Sequence, residues 1–170
     1  AQDVWLGGWS LGGMLAAELA ARRGERCSGL LTLASNLCFV AQPSWPAAMN
    51  AETFGAFRQG CAADAPAALK RFALLCAQGA ADARGLSRQL LSAAPLPNSA
   101  ALLAGLDVLA TMDTRAALQA FVGPQLHLFA GQDGLVVAVH GRVVLLEREQ
   151  RAGHHQQREQ PVAPGAAGQV

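Results

Sequence analysis

The sequence lacks several features that would assign it at once to a class of protein. None of its apolar runs approaches the roughly 20 residues that a helix needs to cross a bilayer. Its 13 Lys and Arg residues are matched by 12 Asp and Glu residues, so the net charge is only +1. So small a net charge provides no general attraction to nucleic acid or to an anionic membrane. We therefore expect neither nucleic acid nor a membrane as a partner.

Signals for metal binding and for secretion are also missing. The four cysteines contain no C-x-x-C pair and no spacing typical of metal ligands: Cys27, Cys38, Cys61 and Cys76. The N-terminus shows no basic stretch followed by an apolar one, which a secretory signal would have. This cysteine usage is typical of reduced, mostly buried thiols in a cytoplasmic protein. We expect no metal and no cofactor.

The composition that is present is apolar, with 52% hydrophobic and 15% charged residues. These values are typical of a globular domain with one core. The chain begins directly in an apolar strand, with no element before it. We interpret this start as the middle of a domain and expect an N-terminally truncated fold.

The first 42 residues indicate a β-α-β unit. An apolar strand at 4–8 ends in glycine, an alanine-rich helix covers 14–23, and a second apolar strand covers 29–35. Such units build a parallel sheet with a right-handed crossover. The sequence therefore predicts an α/β fold whose core includes residues 1–42.

The pattern from 43 to 111 is mostly helical. Asn50 and Asp64 are each placed to cap a helix. So much helix between two strands is typical of an inserted cap rather than of an ordinary crossover. We predict a helical cap, or lid, at 43–111. The helix after Asp64 carries apolar residues at helical spacing: Leu69, Phe72 and Cys76.

The chain returns to the sheet in 112–146. Asp113 is placed to cap a short helix, and 125–131 has the pattern of a strand. A turn at 132–134 follows, at the edge of the sheet where open α/β folds bind ligands. Beyond it, 147–170 is polar and has no periodicity, so we predict a disordered or non-native tail and an atypical C-terminus.

One motif carries chemistry. Residues 8–12 match G-x-S-x-G and lie between a strand and a helix, an arrangement that predicts a nucleophile elbow at 8–12. The serine of such a motif occupies a strained turn that projects its hydroxyl, and we expect Gly8 and Gly12 to avoid clashes between strand and helix. The backbone N–H of Leu11 can donate to a developing oxyanion. The bare motif is only moderately specific in a chain with 18 glycines, but its context predicts Ser10 as a nucleophile.

An acid and a base should follow the nucleophile, in the order Ser, acid, His. Asp133 lies in the glycine-flanked turn after a late strand, and we predict it as the acid, although Asp-Gly is also an ordinary turn pair. His127 lies within that strand, which predicts a wall or core residue, and His140 follows Asp133 too closely. The remaining candidate for the base is His154, with His155 as the alternative.

Several segments together resemble one family of enzymes. They read WLGGWSLGG at 5–13, TLASNLCF at 32–39, SWP at 44–46, KRFAL at 70–74, DAR at 82–84 and DGLV at 133–136. Spread over most of the chain, they are similar to the pimeloyl-[acyl-carrier protein] methyl ester esterases of biotin synthesis. That family belongs to the α/β-hydrolase superfamily, whose parallel sheet bears a helical cap insertion.

The resemblance implies a serine carboxylic ester hydrolase that releases methanol from pimeloyl-[acyl-carrier protein] methyl ester, with an acyl-carrier protein as partner. It implies Ser10 as nucleophile, Asp133 as acid, Leu11 as an oxyanion donor, and Trp9 and Phe72 as substrate contacts. Four basic residues would be typical of a solvated helix face by themselves, and the resemblance implies that they dock the acidic carrier protein: Lys70, Arg71, Arg84 and Arg88.

Two departures from the family leave alternatives open. The sequence has no H-G-W segment before the elbow to supply the second oxyanion donor, and after Val136 it no longer follows the family. We therefore expect weak or no activity from the chain as it stands. The alternatives are a general short-chain carboxylesterase or C–C hydrolase, and a catalytically inactive hydrolase-like remnant.

Overall fold

A computed structural model describes residues 3–93, 98–129 and 143–146 of the chain. Its sheet has four strands in the order in which they occur along the chain. The first three run parallel and the fourth is antiparallel to the third. The predicted parallel sheet is therefore confirmed, and one strand was missed. The strands are β1 (Val4–Trp9), β2 (Cys27–Leu33), β3 (Gln125–Leu128) and β4 (Val143–Leu146).

Six α-helices lie in the described ranges, and five of them fall between β2 and β3. The predicted β-α-β unit and the run of helices that follows it are both present. The division into a core at 1–42 and 112–146 and a cap at 43–111 stays a prediction. The helices are α1 (Leu11–Arg23), α2 (Ala51–Ala63), α3 (Ala65–Cys76), α4 (Ala83–Ala93), α5 (Ser99–Thr111) and α6 (Arg115–Ala120).

One face of the sheet is buried under α1 and α6. Side chains of the sheet and of these helices form one core cluster: Ala16, Ala17, Ala20, Cys27, Leu30 and Phe121. The alanines of α1 have no long side chains, so this helix packs closely against the strands. The alanine-rich helix of the sequence thus forms the covering layer next to the elbow.

The opposite face of the sheet is open within the described residues. Burial alternates along β1, so that Trp5 and Trp9 are 59% and 50% exposed. Leu31 and Leu33 of β2 share this face and are also exposed. The indole of Trp5 lies across Gly29 of the paired strand, where a side chain would overlap the ring.

Helix caps account for several of the boundaries. The side chain of Asn50 accepts hydrogen bonds from the N–H groups of Glu52 and Thr53, and that of Asp64 accepts one from Ala67. Both predicted caps are therefore confirmed. Asn98 caps α5 in the same way, which the sequence analysis did not predict.

The predicted cap of α6 is wrong. Thr114 is the N-cap residue of this helix, and Asp113 lies one residue before it. Asp113 still accepts a hydrogen bond from the backbone N–H of Arg115, but its carboxylate mainly pairs with the Arg115 guanidinium. The backbone of Asp113 forms an isolated antiparallel bridge with Cys38, so this residue lies outside the helix.

The helices between β2 and β3 share a second core cluster with the start of α1. Met14 of α1 packs in it, and the side chain of Leu11 lies against it. The predicted apolar stripe of α3 is only half-buried, while Ala68 and Ala73 are the buried residues of that helix. The other buried members are Phe39, Phe54, Cys61, Ala68, Leu106 and Leu109.

Three further predictions concern membrane-spanning helices, the length of β3 and the segments that follow it. In the part of the chain that the structure describes, no helix is long and apolar enough to cross a membrane. Strand β3 ends at Leu128, so the predicted strand at 125–131 is shorter than expected. The turn at 132–134 and the tail at 147–170 lie outside the described residues.

Candidate active site

Ser10 occupies the turn between the end of β1 and the first residue of α1. Its backbone has φ 52° and ψ −123°, in a region that residues other than glycine rarely adopt. Its N–H donates to the carbonyl oxygen of Leu33 at 2.9 Å, which joins the turn to the end of the next strand. Strain of this kind persists only where the surroundings over-determine it, and it concentrates at functional sites.

The glycines around Ser10 have different roles from those expected. A Cβ at Gly8 would overlap the backbone of Gly12, so strand and helix do cross too closely there for a side chain. A Cβ at Gly12 would meet nothing within 4 Å, and the expectation for this position is wrong in that respect. The second glycine that the packing requires is Gly13, where a Cβ would overlap the hydroxyl of Ser35.

Three donors converge on the carbonyl oxygen of Ser10. The N–H groups of Gly13 and Met14 lie 3.0 and 3.2 Å from it, and the hydroxyl of Ser35 lies 2.8 Å from it. Ser35 follows β2, and its hydroxyl oxygen also lies 3.1 Å from the carbonyl oxygen of Leu33, which shares its single hydrogen. Ser35 was not predicted from the sequence, although its place just after the neighbouring parallel strand puts it at the same edge of the sheet as Ser10.

Leu11 begins α1, so its backbone N–H has no acceptor within the helix. An N–H at a helix start, directly after a projecting hydroxyl, is suited to stabilise negative charge on a tetrahedral intermediate. The side chain of Leu11 contacts the second core cluster, which anchors the residue between the elbow and the helices. The structure therefore places the predicted oxyanion donor beside the predicted nucleophile.

The two predicted substrate contacts lie on different elements. Trp9 ends β1, next to Ser10, and is half exposed on the open face of the sheet. Phe72 lies in the middle of α3 and packs against Phe57 of α2, with the ring centroids 5.5 Å apart. The packing of α3 against α2 is enough to explain an aromatic residue at Phe72. A contact between Phe72 and the substrate stays a prediction.

The four predicted docking residues lie on two consecutive helices. Lys70 and Arg71 belong to α3, and Arg84 and Arg88 belong to α4. All four are exposed, and none forms an ion pair with any residue in 3–93, 98–129 or 143–146. Their positive charge is therefore available to a partner, as the prediction requires.

Arg115 joins the start and the end of the helical segment. Its guanidinium donates to both carboxylate oxygens of Asp113 and to the backbone and side-chain oxygens of Ser44, and it lies 5.8 Å from the ring centroid of Trp45. The hydrogen bonds from the Arg115 side chain hold the pKa of the Asp113 carboxyl well below its ordinary value. Burial, followed by the hydrogen bond to Asp113, raises the pKa of the Cys38 thiol. Because of these contacts, we interpret the cluster as structural.

His127 lies in a buried polar cluster on the sheet. Its Nδ1 is 2.7 Å from Oγ1 of Thr32, and its Nε2 is 3.2 Å from Oε1 of Gln125. Burial lowers the pKa of this histidine, because removal from water disfavours the charged ring. The predicted wall or core position of His127 is confirmed.

The predicted acid and base lie outside the described residues, as does His140. The assignment of Asp133 as the acid, and of His154 or His155 as the base, stays a prediction. Across 3–93, 98–129 and 143–146, no three His, Cys, Asp or Glu side chains converge in a way that could hold a metal ion.

Comparison with known proteins identifies the family. A family model of the alpha/beta hydrolase fold matches residues 1–157. With the parallel sheet and the strand-turn-helix at Ser10, this match shows that the chain belongs to the α/β-hydrolase family.

Relatives with a named activity are similar over most of this chain. The pimeloyl-[acyl-carrier protein] methyl ester esterase of Klebsiella pneumoniae is 41% identical over 139 residues, which cover 79% of this chain and 53% of that protein. The enzyme of the same name from Salmonella heidelberg is 40% identical over 138 residues, with the same coverage. The chain spans about half the length of the curated relatives that it matches.

Solved structures support the fold. An esterase from Exiguobacterium antarcticum superimposes with a TM-score of 0.66 at 20% identity, over 81% of this chain and 52% of that one. A bromoperoxidase from Bacillus anthracis does so with a TM-score of 0.63 at 19% identity, over 75% and 49% of the two chains. At these identities the likeness concerns the fold alone.

Proposed function

We propose that this chain carries the nucleophilic part of a serine carboxylic ester hydrolase. The observation that carries the proposal is the backbone of Ser10, strained at φ 52° between a parallel strand and a helix. Such a turn presents the serine hydroxyl at the carboxyl edge of the sheet, where substrates of open α/β folds bind. A family match alone would support the fold without a reaction.

The reaction would proceed through a seryl ester. The hydroxyl oxygen of Ser10 attacks the ester carbonyl carbon while a base removes its proton, and the Leu11 N–H donates to the oxygen that becomes negative. The tetrahedral intermediate expels the alcohol, which takes up the proton from the base. Water then attacks the acyl group in the same way, releases the acid and restores Ser10.

The partners of Ser10 in this mechanism are Asp133 and a histidine. We assign Asp133 as the acid that orients the base and stabilises its imidazolium form. His154 is the proposed base, and His155 is the alternative. Their support is the chain order Ser, acid, His, which is that of α/β hydrolases.

The proposed substrate is pimeloyl-[acyl-carrier protein] methyl ester, and the proposed partner is the acyl-carrier protein that bears it. The support is twofold: relatives about 40% identical carry that name, and α3 and α4 present four exposed cations. An acidic carrier would be drawn to Lys70, Arg71, Arg84 and Arg88 by charge complementarity. A cytoplasmic location, together with Trp9 and Phe72 as contacts of the substrate, belongs to the same proposal.

Two other functions remain as outcomes of the test. A general short-chain carboxylesterase or C–C hydrolase would use the same Ser10 without a preference for carrier-bound substrate. A catalytically inactive hydrolase-like remnant would keep the fold and have no activated serine.

A fluorophosphonate probe tests the proposal on the full 170-residue chain. Because the sequence predicts at most weak activity for this chain, we expect slow formation of a covalent adduct that mass spectrometry locates on Ser10 and that is absent from Ser10→Ala. Cleavage of pimeloyl-[acyl-carrier protein] methyl ester should then exceed cleavage of p-nitrophenyl butyrate in kcat/KM. Equal values would favour the general esterase, and a wild-type chain without an adduct would favour the remnant.

A further inference from the structure

Ser35 contacts the same peptide unit that carries the proposed oxyanion donor. Its hydroxyl donates to the carbonyl oxygen of Ser10 at 2.8 Å. The carbonyl group of Ser10 and the N–H of Leu11 belong to one planar unit, in which they point in opposite directions. A contact that holds the carbonyl therefore also sets the direction of the Leu11 N–H.

The hydroxyl of Ser35 is itself held in place. Its single hydrogen is shared with the carbonyl oxygen of Leu33 at 3.1 Å, and the same oxygen accepts the N–H of Ser10 at 2.9 Å. Ser35 is only 9% exposed, so water has little access to replace its hydroxyl. Gly13, which has no side chain, leaves the space that this oxygen occupies. The end of β2 is thus built to hold the Ser10–Leu11 peptide in one orientation.

We propose that Ser35 is a positioning residue for the oxyanion hole, acting through the Ser10–Leu11 peptide. The inference rests on the proposed serine hydrolase function and extends it to a residue on the neighbouring strand. Oxyanion donors stabilise the transition state only when their direction is already set before reaction. The N–H groups of Gly13 and Met14 also bind the Ser10 carbonyl, so loss of Ser35 should loosen this peptide without unfolding the turn.

Thr114 offers a matched control for the removal of Ser35. Its hydroxyl is also buried and donates to a backbone carbonyl, that of Leu37, at 3.1 Å. Ser35→Ala and Thr114→Val each remove one such hydrogen bond, but only the first lies at the elbow. The two variants therefore separate an effect on the site from a general loss of stability.

The test measures the kinetics of fluorophosphonate labelling of Ser10 in the full chain. We expect the maximal labelling rate of Ser35→Ala to fall about five- to tenfold, as for the loss of one hydrogen bond of ordinary strength, with half-saturating probe concentration unchanged. Thr114→Val should label within about twofold of wild type. The proposal is overturned if Ser35→Ala is labelled at the wild-type rate. It is also overturned if the labelling rate falls equally in Ser35→Ala and Thr114→Val.

A second measurement keeps this inference separate from the proposed function. The carbonyl carbon of Ser10 and the amide of Leu11 are observed by NMR in wild type and in both variants. Both resonances should move in Ser35→Ala and stay in Thr114→Val. If the wild-type chain is not labelled, the proposed function is wrong. If the two resonances do not move in Ser35→Ala, the positioning role of Ser35 is wrong as well.

Discussion

Gly13 lies so close to Ser35 that a methyl group on its Cα would overlap the Ser35 hydroxyl. The same methyl group would lie 2.8 Å from the carbonyl oxygen of Gly8. At the adjacent Gly12, a methyl group would meet nothing within 4 Å. Two neighbouring glycines of one helix therefore differ in their tolerance of a side chain.

We predict opposite effects of alanine at these two positions. Gly13→Ala should destabilise the chain by about 1–3 kcal/mol, the usual cost of overpacking, and should slow labelling of the serine. Gly12→Ala should be neutral or stabilising by up to about 1 kcal/mol, since alanine is the better helix former. Urea unfolding of both variants measures the difference, and equal losses of stability would contradict the assignment of Gly13 as the closely packed position.

The burial of His127 predicts a loss of stability in acid. Its pKa in the folded chain lies below the ordinary value of about 6.5, so the unfolded chain binds the proton first as pH falls. The free energy of unfolding should therefore fall as pH drops below about 6.5, until the lower folded pKa is passed. His127→Leu should make this decline shallower.

The measurement is urea unfolding between pH 8 and pH 5 for wild type and His127→Leu, with the difference in slope assigned to position 127. The variant also leaves Thr32 and Gln125 without their ring partner, so its stability at pH 8 is expected to be lower. A parallel pH dependence in the two proteins would show that His127 does not titrate differently on unfolding.

The exposed cations of α3 and α4 predict a salt-sensitive interaction with an acidic carrier protein. Arg84→Glu should raise the apparent KM for pimeloyl-[acyl-carrier protein] methyl ester, with little change for p-nitrophenyl butyrate, and the effect should shrink as salt is added. Arg22→Glu is the matched control, because Arg22 is exposed near the end of α1. Equal losses on both substrates, or equal effects of the two variants, would count against docking at Arg84.

The two faces of the sheet predict different responses to a polar residue. Leu31 is 39% exposed on the open face, whereas Leu30 is fully buried under α1. Leu31→Gln should change stability by less than about 0.5 kcal/mol, and Leu30→Gln should cost about 3 kcal/mol or more. Urea unfolding compares them, and a large loss in Leu31→Gln would mean that the open face is covered.

The elbow and the caps of α2 and α3 could be predicted from the sequence, because each depends on residues that lie close together in the chain. A strand, a turn at Ser10 and a helix follow one another within about 20 residues, and each is marked by its own periodicity. Asn50 and Asp64 bind backbone N–H groups two or three residues away, so their effect is local. Patterns of this kind can be read without knowledge of the packing.

Only the tertiary structure decided what surrounds the elbow. Ser35 reaches Ser10 across 25 positions of sequence, and Arg115 reaches Ser44 across 71, so no local pattern shows either contact. The requirement for glycine at position 13 rather than 12 depends on the side of α1 that faces Ser35. The physical reason is that backbone propensity acts between neighbours in sequence, whereas steric exclusion and side-chain hydrogen bonds act between neighbours in space.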